Sequence, residues 1–219
     1  DTAWLRNVDS VALQASYEHL IDAFNRFFQK QNNDPRFKSK KNPVQSYTTK
    51  NTNNNIAIVG NQMKLPKLGL VKFAKSRDIE GRILKATIKY NASGTFYVSV
   101  LCEVPDFKPF PKTNEAVGID LGITDFAILS NGRRVDNQRF TAKMEQKLKR
   151  EQRKLSRRYE QAKKEGRNLR ACMNYQKQRR RVARLRERVA FQREDFLNKL
   201  STELIRHYDV ICLEDLNTK

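Results

Sequence analysis

Several residue types are scarce in this 219-residue chain, and each scarcity argues against a class of protein. The three cysteines, Cys102, Cys172 and Cys212, lie far apart without a CxxC pair, which argues against a disulfide framework and against a zinc site in this chain. No apolar run approaches the roughly 18 to 20 residues that a bilayer span needs, and the N-terminal region lacks a signal peptide's apolar stretch. We therefore expect a protein of the cytoplasm, without a membrane partner.

Acidic residues are also few in comparison with basic ones. The chain has 24 Asp and Glu against 44 Lys and Arg, so its formal net charge is +20. Such a charge repels itself unless an anionic partner neutralises it. A hydrophobic content of 38%, with 12 Phe and 7 Tyr, argues against wholesale disorder. We predict a folded protein that binds nucleic acid.

The first 104 residues predict one helix followed by short strands. Apolar residues recur near every 3.6 positions from Leu13 onward, and Asp9 or Ser10 is placed to cap that helix. Residues 32–55 are rich in Asn, Lys, Ser and Thr and contain two prolines, which predicts loop and irregular strand. Alternating segments then predict a small β-barrel, with strands near residues 55–59, 62–65, 70–73, 82–90 and 95–103.

A proline-rich segment separates this region from the second half of the chain. Pro105, Pro109 and Pro111 predict a stiff linker, because proline fixes the backbone and removes an amide donor. From residue 115, three strand-like segments follow, with a tight turn expected at Asn131-Gly132. The chain begins at Asp1 and stops just after an apolar strand near residues 210–213, so we expect a fragment truncated at both ends.

Residues 141–207 predict a long helical hairpin, because they contain no proline and carry apolar stripes at helical spacing. Residues 143–194 hold 20 Lys and Arg against 6 Glu, a net charge of +14. A solvated face normally intersperses both signs, so the crowded arginines favour a phosphate-binding surface. The residues that we expect to contact nucleic acid are Lys38, Lys40, Lys41, Arg153, Arg157, Arg158, Arg179, Arg180, Arg181, Arg184 and Arg188.

Two carboxylates on apolar strands are the candidate catalytic residues. Asp120 ends one strand between Gly118 and Gly122, whose small size lets a ligand approach the backbone. Glu214 projects from the end of the later apolar strand, where an unpaired buried carboxylate would be costly. Magnesium prefers oxygen ligands, and two such ions can drive phosphodiester cleavage. We predict that Asp120 and Glu214 bind catalytic metal.

The sequences AVGIDLGITDFA (residues 116–127) and VICLEDLN (residues 210–217) resemble the first and second RuvC motifs of the TnpB (OrfB) family. Members of that family are transposon-encoded RNA-guided DNA endonucleases related to type V CRISPR effectors. Upstream, residues 4–28 resemble the end of the family's helical recognition region. Residues 35–41 and 64–69 resemble its wedge domain.

The resemblance implies an α+β multidomain chain. Residues 1–33 would end the helical recognition region, 34–114 would form the wedge-like barrel and linker, and 115–219 would form a partial ribonuclease-H-like RuvC domain. It implies that Asp120 and Glu214 are the first two catalytic acids of a site with two Mg²⁺ ions. The partners would be a guide RNA from the transposon end and double-stranded target DNA, with the hairpin lying along them.

The chain departs from the family pattern, which leaves two further hypotheses open. The family's third catalytic aspartate and four-cysteine zinc ribbon do not occur before Lys219, so this chain alone is expected to be inactive. Asp125, Asp136 and Asp215 lack the motif context of that third acid and are interpreted as turn or surface residues. One alternative is an RNA-guided DNA-binding protein without cleavage. Another is an actin-like ATPase, which the arginine-rich hairpin disfavours.

Overall fold

The computed structural model describes residues 2–104 and 109–214, apart from the side chain of Lys143. The chain divides into two units, Asp1–Phe107 and Lys108–Lys219. The predicted linker lies partly outside the described residues, which resume at Pro109. Among the described residues, no helix has the length and apolar character required to cross a bilayer.

The first unit begins with a short 3₁₀-helix, Ala3–Asn7, and helix α1, Ser10–Phe28. Asp9 caps α1 as the sequence predicts, because its Oδ1 accepts a hydrogen bond from the Val11 amide at 3.1 Å. The strands of this unit are β1 (Gln45–Lys50), β2 (Ala57–Val59), β3 (Gln62–Leu65), β4 (Gly69–Lys72), β5 (Arg82–Tyr90) and β6 (Phe96–Glu103). The predicted bounds of β3 and β5 are confirmed.

Strand β1 is more regular than the sequence predicted. It pairs antiparallel with β5 along its whole length, from Gln45 opposite Tyr90 to Lys50 opposite Lys85. The buried hydroxyl of Thr49 donates to Asp9 Oδ2, so one aspartate both caps α1 and ties it to this strand.

The predicted small barrel is wrong. Two antiparallel three-stranded sheets form instead, ordered β1-β5-β6 and β2-β3-β4, and no ladder joins them among the described strands. Strands β2, β3 and β4 have only three or four residues each, and β4 is exposed along its length, so they offer little backbone for closure. The sheets meet through side chains in one apolar cluster, whose buried members are Ile56, Met63, Leu65 and Ala86.

The second unit is a mixed four-stranded sheet with two long helices between its third and fourth strands in sequence. Its elements are β7 (Ala116–Leu121), β8 (Asp125–Leu129), β9 (Arg134–Asp136), α2 (Phe140–Lys164), α3 (Met173–His207) and β10 (Val210–Leu213). The sheet order is β10-β7-β8-β9, with β10 parallel to β7 and the other pairs antiparallel. Helices α2 and α3 occupy the segment in which the sequence predicts a helical hairpin, residues 141–207.

One face of this sheet carries the apolar core. Val117 and Ile119 of β7 and Ala127 and Leu129 of β8 are buried together with Leu200 of α3. Because side chains alternate along a strand, Gly118 and Asp120 face the opposite side. The buried side chains of Val117 and Ile119 hold β7 against the core, and this directs Asp120 to the opposite face of the sheet.

Candidate functional site

The parallel pairing of β10 and β7 brings the two candidate acids together. Cα partners run from Val210 beside Ala116 to Leu213 beside Ile119. The ladder ends there, and Glu214 and Asp120 are the next residues of the two segments; both line one cavity. Neighbouring strands lie about 4.8 Å apart, so these carboxylates extend from adjacent backbone positions. The sequence proposed both residues, and the structure joins them at one end of the sheet.

Both carboxylates line an open cavity of about 490 Å³, the carboxylate cleft. Small and apolar residues form much of its wall, among them Gly118, Ile128, Ser130 and Cys212. Asp120 and Glu214 are exposed to solvent, so a ligand can reach them. The cleft therefore combines two accessible anionic groups with a floor that leaves room for a ligand.

Gly122 shapes the turn that follows Asp120. Its amide donates to the Phe126 carbonyl at 3.3 Å. A Cβ at position 122 would lie 2.9 Å from the Asp125 carbonyl oxygen, closer than real Cβ contacts allow. At Gly118, in contrast, the nearest atom to an added Cβ is Ser130 Cβ at 3.7 Å, an ordinary contact. The glycine after Asp120 is thus required by the backbone, whereas the one before it is not.

The donor set of the cleft suits a hard divalent cation. Mg²⁺ is commonly held by one or two protein carboxylates and completes its shell with water and substrate phosphate oxygens. Asp120 and Glu214 supply that number of carboxylates. Across residues 2–104 and 109–214, no group of three or more His, Cys, Asp and Glu is arranged to hold a metal ion. Asp120 and Glu214 are therefore the residues of the cleft that could bind such a cation.

Three other aspartates are candidates for a third acid, and those that the structure describes do not line the cleft. Asp125 lies opposite Asp136 in the β8–β9 ladder and forms an ion pair with Arg134 at 3.6 Å. Neither aspartate lines the cleft. Asp215 lies outside the described residues.

The predicted nucleic-acid contacts of α2 and α3 lie on exposed surface, and the two helices together are called the basic hairpin below. Arg153 and Arg157 are one turn apart and line a shallow depression on α2 with Lys149. The exposed arginines of α3 among the predicted contacts are Arg179, Arg180, Arg181, Arg184 and Arg188. A row of cations on a rigid helix can bind successive phosphates of a nucleic-acid backbone.

Two of the predicted contacts also hold the basic hairpin together. Arg158 of α2 donates from Nη1 to the Asn174 carbonyl of α3 at 2.6 Å. Arg181 of α3 places its Nε 3.3 Å from Glu151 Oε2 of α2. These guanidinium groups are therefore partly engaged within the protein.

The predicted lysines of the first unit are exposed on an irregular segment before β1. Lys38 donates from Nζ to the Ser46 carbonyl at 3.3 Å, whereas Lys40 and Lys41 are exposed near the following turn. Their role in nucleic-acid binding stays a prediction.

The structure adds one polar pair that the sequence did not indicate. Glu151 is fully buried between α2 and α3, and Gln178 Nε2 donates to its Oε2 at 2.8 Å and to its backbone carbonyl at 2.9 Å. The Gln178 hydrogen bond, reinforced by nearby Arg181 and Lys154, lowers the pKa of Glu151 despite burial, which acts in the opposite direction. Only the register of the two helices reveals this pair, because glutamates are otherwise common on exposed helix faces.

A comparison with known proteins supports the interpretation of the motifs at residues 116–127 and 210–217. The model of the OrfB_IS605 family, described as "Probable transposase", matches residues 99–219. The chain belongs to the OrfB family. The resemblance to TnpB (OrfB) proteins, drawn from residues 116–127 and 210–217, is thereby confirmed.

Two curated relatives match the chain over nearly its whole length. The "Putative RNA-guided DNA endonuclease" of Streptomyces pristinaespiralis is 32% identical over 222 residues, covering 100% of this chain and 52% of the relative. The "Putative RNA-guided DNA endonuclease InsQ" of Escherichia coli K12 is 32% identical over 219 residues, covering 99% of this chain and 50% of the relative. The chain therefore spans about half the length of these OrfB relatives.

Proposed function

We propose that the protein to which this chain belongs is an RNA-guided DNA endonuclease of the RuvC, ribonuclease-H-like type. The observation that carries the proposal is the β10–β7 register, which sets Glu214 beside Asp120 in an open cleft. The names of the two OrfB relatives support the same activity. Base pairing with the guide RNA would supply sequence specificity, while the protein binds the sugar-phosphate backbone of the RNA–DNA heteroduplex.

Within this proposal, Asp120 and Glu214 hold a divalent cation at the end of the sheet. When bound, Mg²⁺ would supply activation of water and neutralisation of charge at the phosphate under attack. The chain itself fixes the positions of the two carboxylates. The buried side chains Val117 and Ile119 hold β7 on α3, and Gly122 sets the turn that follows Asp120. Asp120 is therefore preorganised by the sheet, and Glu214 follows directly after the strand that pairs with β7.

The basic hairpin neutralises phosphates of the bound nucleic acid in the same proposal. Its charge of +14 over residues 143–194 accounts for most of the net charge of the chain. Protein contacts to phosphates position a duplex without reading its sequence. Contacts that do not read sequence are what we expect of a protein whose target is selected by base pairing with RNA.

The first part of the test asks whether the protein carries a guide. The intact protein is expressed with its native flanking DNA, purified through high salt, and its bound RNA is sequenced. We expect one structured RNA from the transposon end that runs into variable sequence. A heterogeneous mixture of RNAs would contradict guided recognition and favour nonspecific binding through the positive charge.

The second part asks whether the protein cuts DNA. The RNA-bound protein should cut matched DNA with Mg²⁺, and D120N and E214Q should each abolish cutting while DNA binding persists. D136N is the matched control, because Asp136 lies on the same sheet but does not line the cleft. Retained cutting in D120N would overturn the site. Guided binding without any cutting by the intact protein would instead support the alternative of an RNA-guided DNA-binding protein.

A further inference from the structure

A second cavity lies in the same unit, between the end of the sheet and the start of α2. It has a volume of about 400 Å³, within the range of small-ligand sites. We call it the aromatic cavity, and the residues of its wall that matter here are Phe126, Phe140, Phe196, Leu197, Arg139 and Arg193. None of its lining residues is acidic.

The three phenylalanines of the aromatic cavity are arranged around Phe196. The Phe126 and Phe196 rings are 5.1 Å apart at 82°, and the Phe140 and Phe196 rings are 6.1 Å apart at 66°. The rings of each pair meet edge to face, so each of these contacts covers one face of one ring only. All three rings are only partly buried, and Leu197 beside them is 47% exposed. The cavity thus offers apolar, aromatic surface to a planar ligand.

Cationic groups stand at the same cavity. Arg193 donates from Nη2 to the Thr141 hydroxyl, which fixes its guanidinium at the wall. Arg139 also lines the cavity. A guanidinium has five N–H donors, so Arg193 retains donors for an anion after this one bond. Arg139 and Arg193 are both exposed at the cavity, so a ligand with a planar ring and a phosphate would complement both the aromatic wall and these two cations.

A direct hydrogen bond connects the aromatic cavity to the loop that follows Asp120. Asn137, which lines the cavity, donates from Nδ2 to the Ile123 carbonyl at 2.9 Å. Its Oδ1 accepts from the Arg139 amide at 3.1 Å. The Asn137 side chain therefore links the wall of the aromatic cavity to Ile123, three residues beyond Asp120.

From these observations we infer that the aromatic cavity binds one unpaired nucleotide of the nucleic-acid strand that enters the carboxylate cleft. The base stacks on the phenylalanine rings, and its phosphate is bound by Arg193 and Arg139. Aromatic stacking accepts any base, since every base presents a ring face, so the site grips a strand without selecting sequence. The inference rests on the proposed function, because it assigns the bound strand to the candidate nuclease site.

The test compares two DNA probes in the presence of EDTA, so that its readout does not depend on cleavage. One probe is a duplex with a single bulged 2-aminopurine, and the other is the same duplex fully paired. With the intact protein, we expect quenching of the bulged base and tighter binding of the bulged probe. Free 2-aminopurine nucleotide serves as a third arm, and quenching of it at equal concentration would overturn the assignment to a strand.

Two variants remove the proposed contacts. Phe140→Leu keeps apolar volume at the start of α2 but removes the ring, and Arg193→Gln removes the cation. Phe140→Leu should weaken binding of the bulged probe by about fivefold to a hundredfold, the range expected for loss of one stacked base, and leave the paired probe unchanged. Arg193→Gln should lower the ratio of bulged-probe affinity to paired-probe affinity. Arg186→Gln, on exposed surface of α3 away from the cavity wall, is the control and should leave the bulged-to-paired ratio unaltered.

The outcomes separate this inference from the proposed function. Wild-type quenching and an unchanged bulged-to-paired ratio in both Phe140→Leu and Arg193→Gln would overturn the nucleotide site. Loss of cutting in D120N would still support the nuclease in that case. Conversely, a protein that never cuts DNA but loses quenching in both variants would retain the nucleotide site and lose the proposed activity.

Discussion

Gln178 on α3 donates from a single nitrogen to both the side chain and the backbone carbonyl of Glu151 on α2. This contact fixes the register of the basic hairpin, because a shift of either helix would separate the buried Gln178 amide from both of its Glu151 acceptors. Register in turn decides which arginines of the two helices face the same direction.

We predict that Glu151→Ala destabilises the protein and lowers its melting temperature by several degrees. The substitution leaves the Gln178 amide, which is 4% exposed, without its carboxylate acceptor. Glu151→Gln should cost less, since it keeps an acceptor for Gln178 and loses only the charge that faces Arg181, Lys154 and Arg150. Thermal unfolding followed by circular dichroism measures both. Glu160→Gln, on an exposed face of the same helix, is the control, and an equal loss there would contradict the assignment.

The same carboxylate predicts a pH dependence of stability. Its pKa is lowered in the folded protein, chiefly by the hydrogen bond from Gln178 and further by Arg181 and Lys154. Its stabilising contribution is therefore complete above the ordinary glutamate pKa, about 4.3, and is lost as pH falls through the lower folded value. Wild-type stability should fall more steeply than that of Glu151→Gln below about pH 4.3. Parallel acid profiles would argue against this pair.

The two glycines around Asp120 predict opposite responses to alanine. Gly122→Ala forces a Cβ to within 2.9 Å of the Asp125 carbonyl, so the turn must shift, at a cost of about 1 to 3 kcal/mol. Gly118→Ala meets only Ser130 Cβ at 3.7 Å and should leave stability nearly unchanged. Chemical denaturation of the two variants measures the difference. Equal stability of the two variants would show that the turn after Asp120 adapts without strain.

The exposed arginines of α3 predict the salt dependence of nucleic-acid binding. Each phosphate contact contributes about 0.7 to 0.9 to the slope of log K against log salt concentration. Arg179→Gln and Arg180→Gln should each flatten the slope by about this amount. Arg181→Gln should change it less, because Arg181 is already engaged with Glu151.

Binding titrations at several salt concentrations measure these slopes. Arg26→Gln is the control, since Arg26 pairs with Asp22 at 3.1 Å on α1. Slopes that stay unchanged in all three arginine variants would mean that this surface is free in the complex.

Local sequence patterns predicted most of the helices and strands, whereas the pairing of segments distant in sequence could not be predicted as well. The bounds of β3 and β5 follow from alternation of apolar residues, and the basic hairpin follows from its stripes. Closure of a barrel depends on which strand edges meet, and alternation carries no information on that, so two separate sheets were predicted as one barrel. Strand β1 was underestimated because its buried residues are Thr48 and Thr49, which are polar.

The candidate site divides in the same way. Asp120 and Glu214 could be proposed from sequence because Asp120 lies near the end of one apolar strand and Glu214 follows another, and the parallel pairing then joins these strands. Their catalytic role remains a prediction. Glu151 could not be found, since its burial depends on a partner 27 residues away. The aromatic cavity was also inaccessible, because Phe126, Phe140 and Phe196 come from three separate elements.

The most direct test of the account is a titration of the intact protein with Mn²⁺, in which electron paramagnetic resonance reports the free ion. Mn²⁺ accepts the same oxygen ligands as Mg²⁺ and can substitute for it as a probe. We expect wild-type uptake of the ion and at least tenfold weaker uptake in both D120N and E214Q, with D136N unchanged. Uptake that is equal in all four proteins would contradict a cation site shared by Asp120 and Glu214.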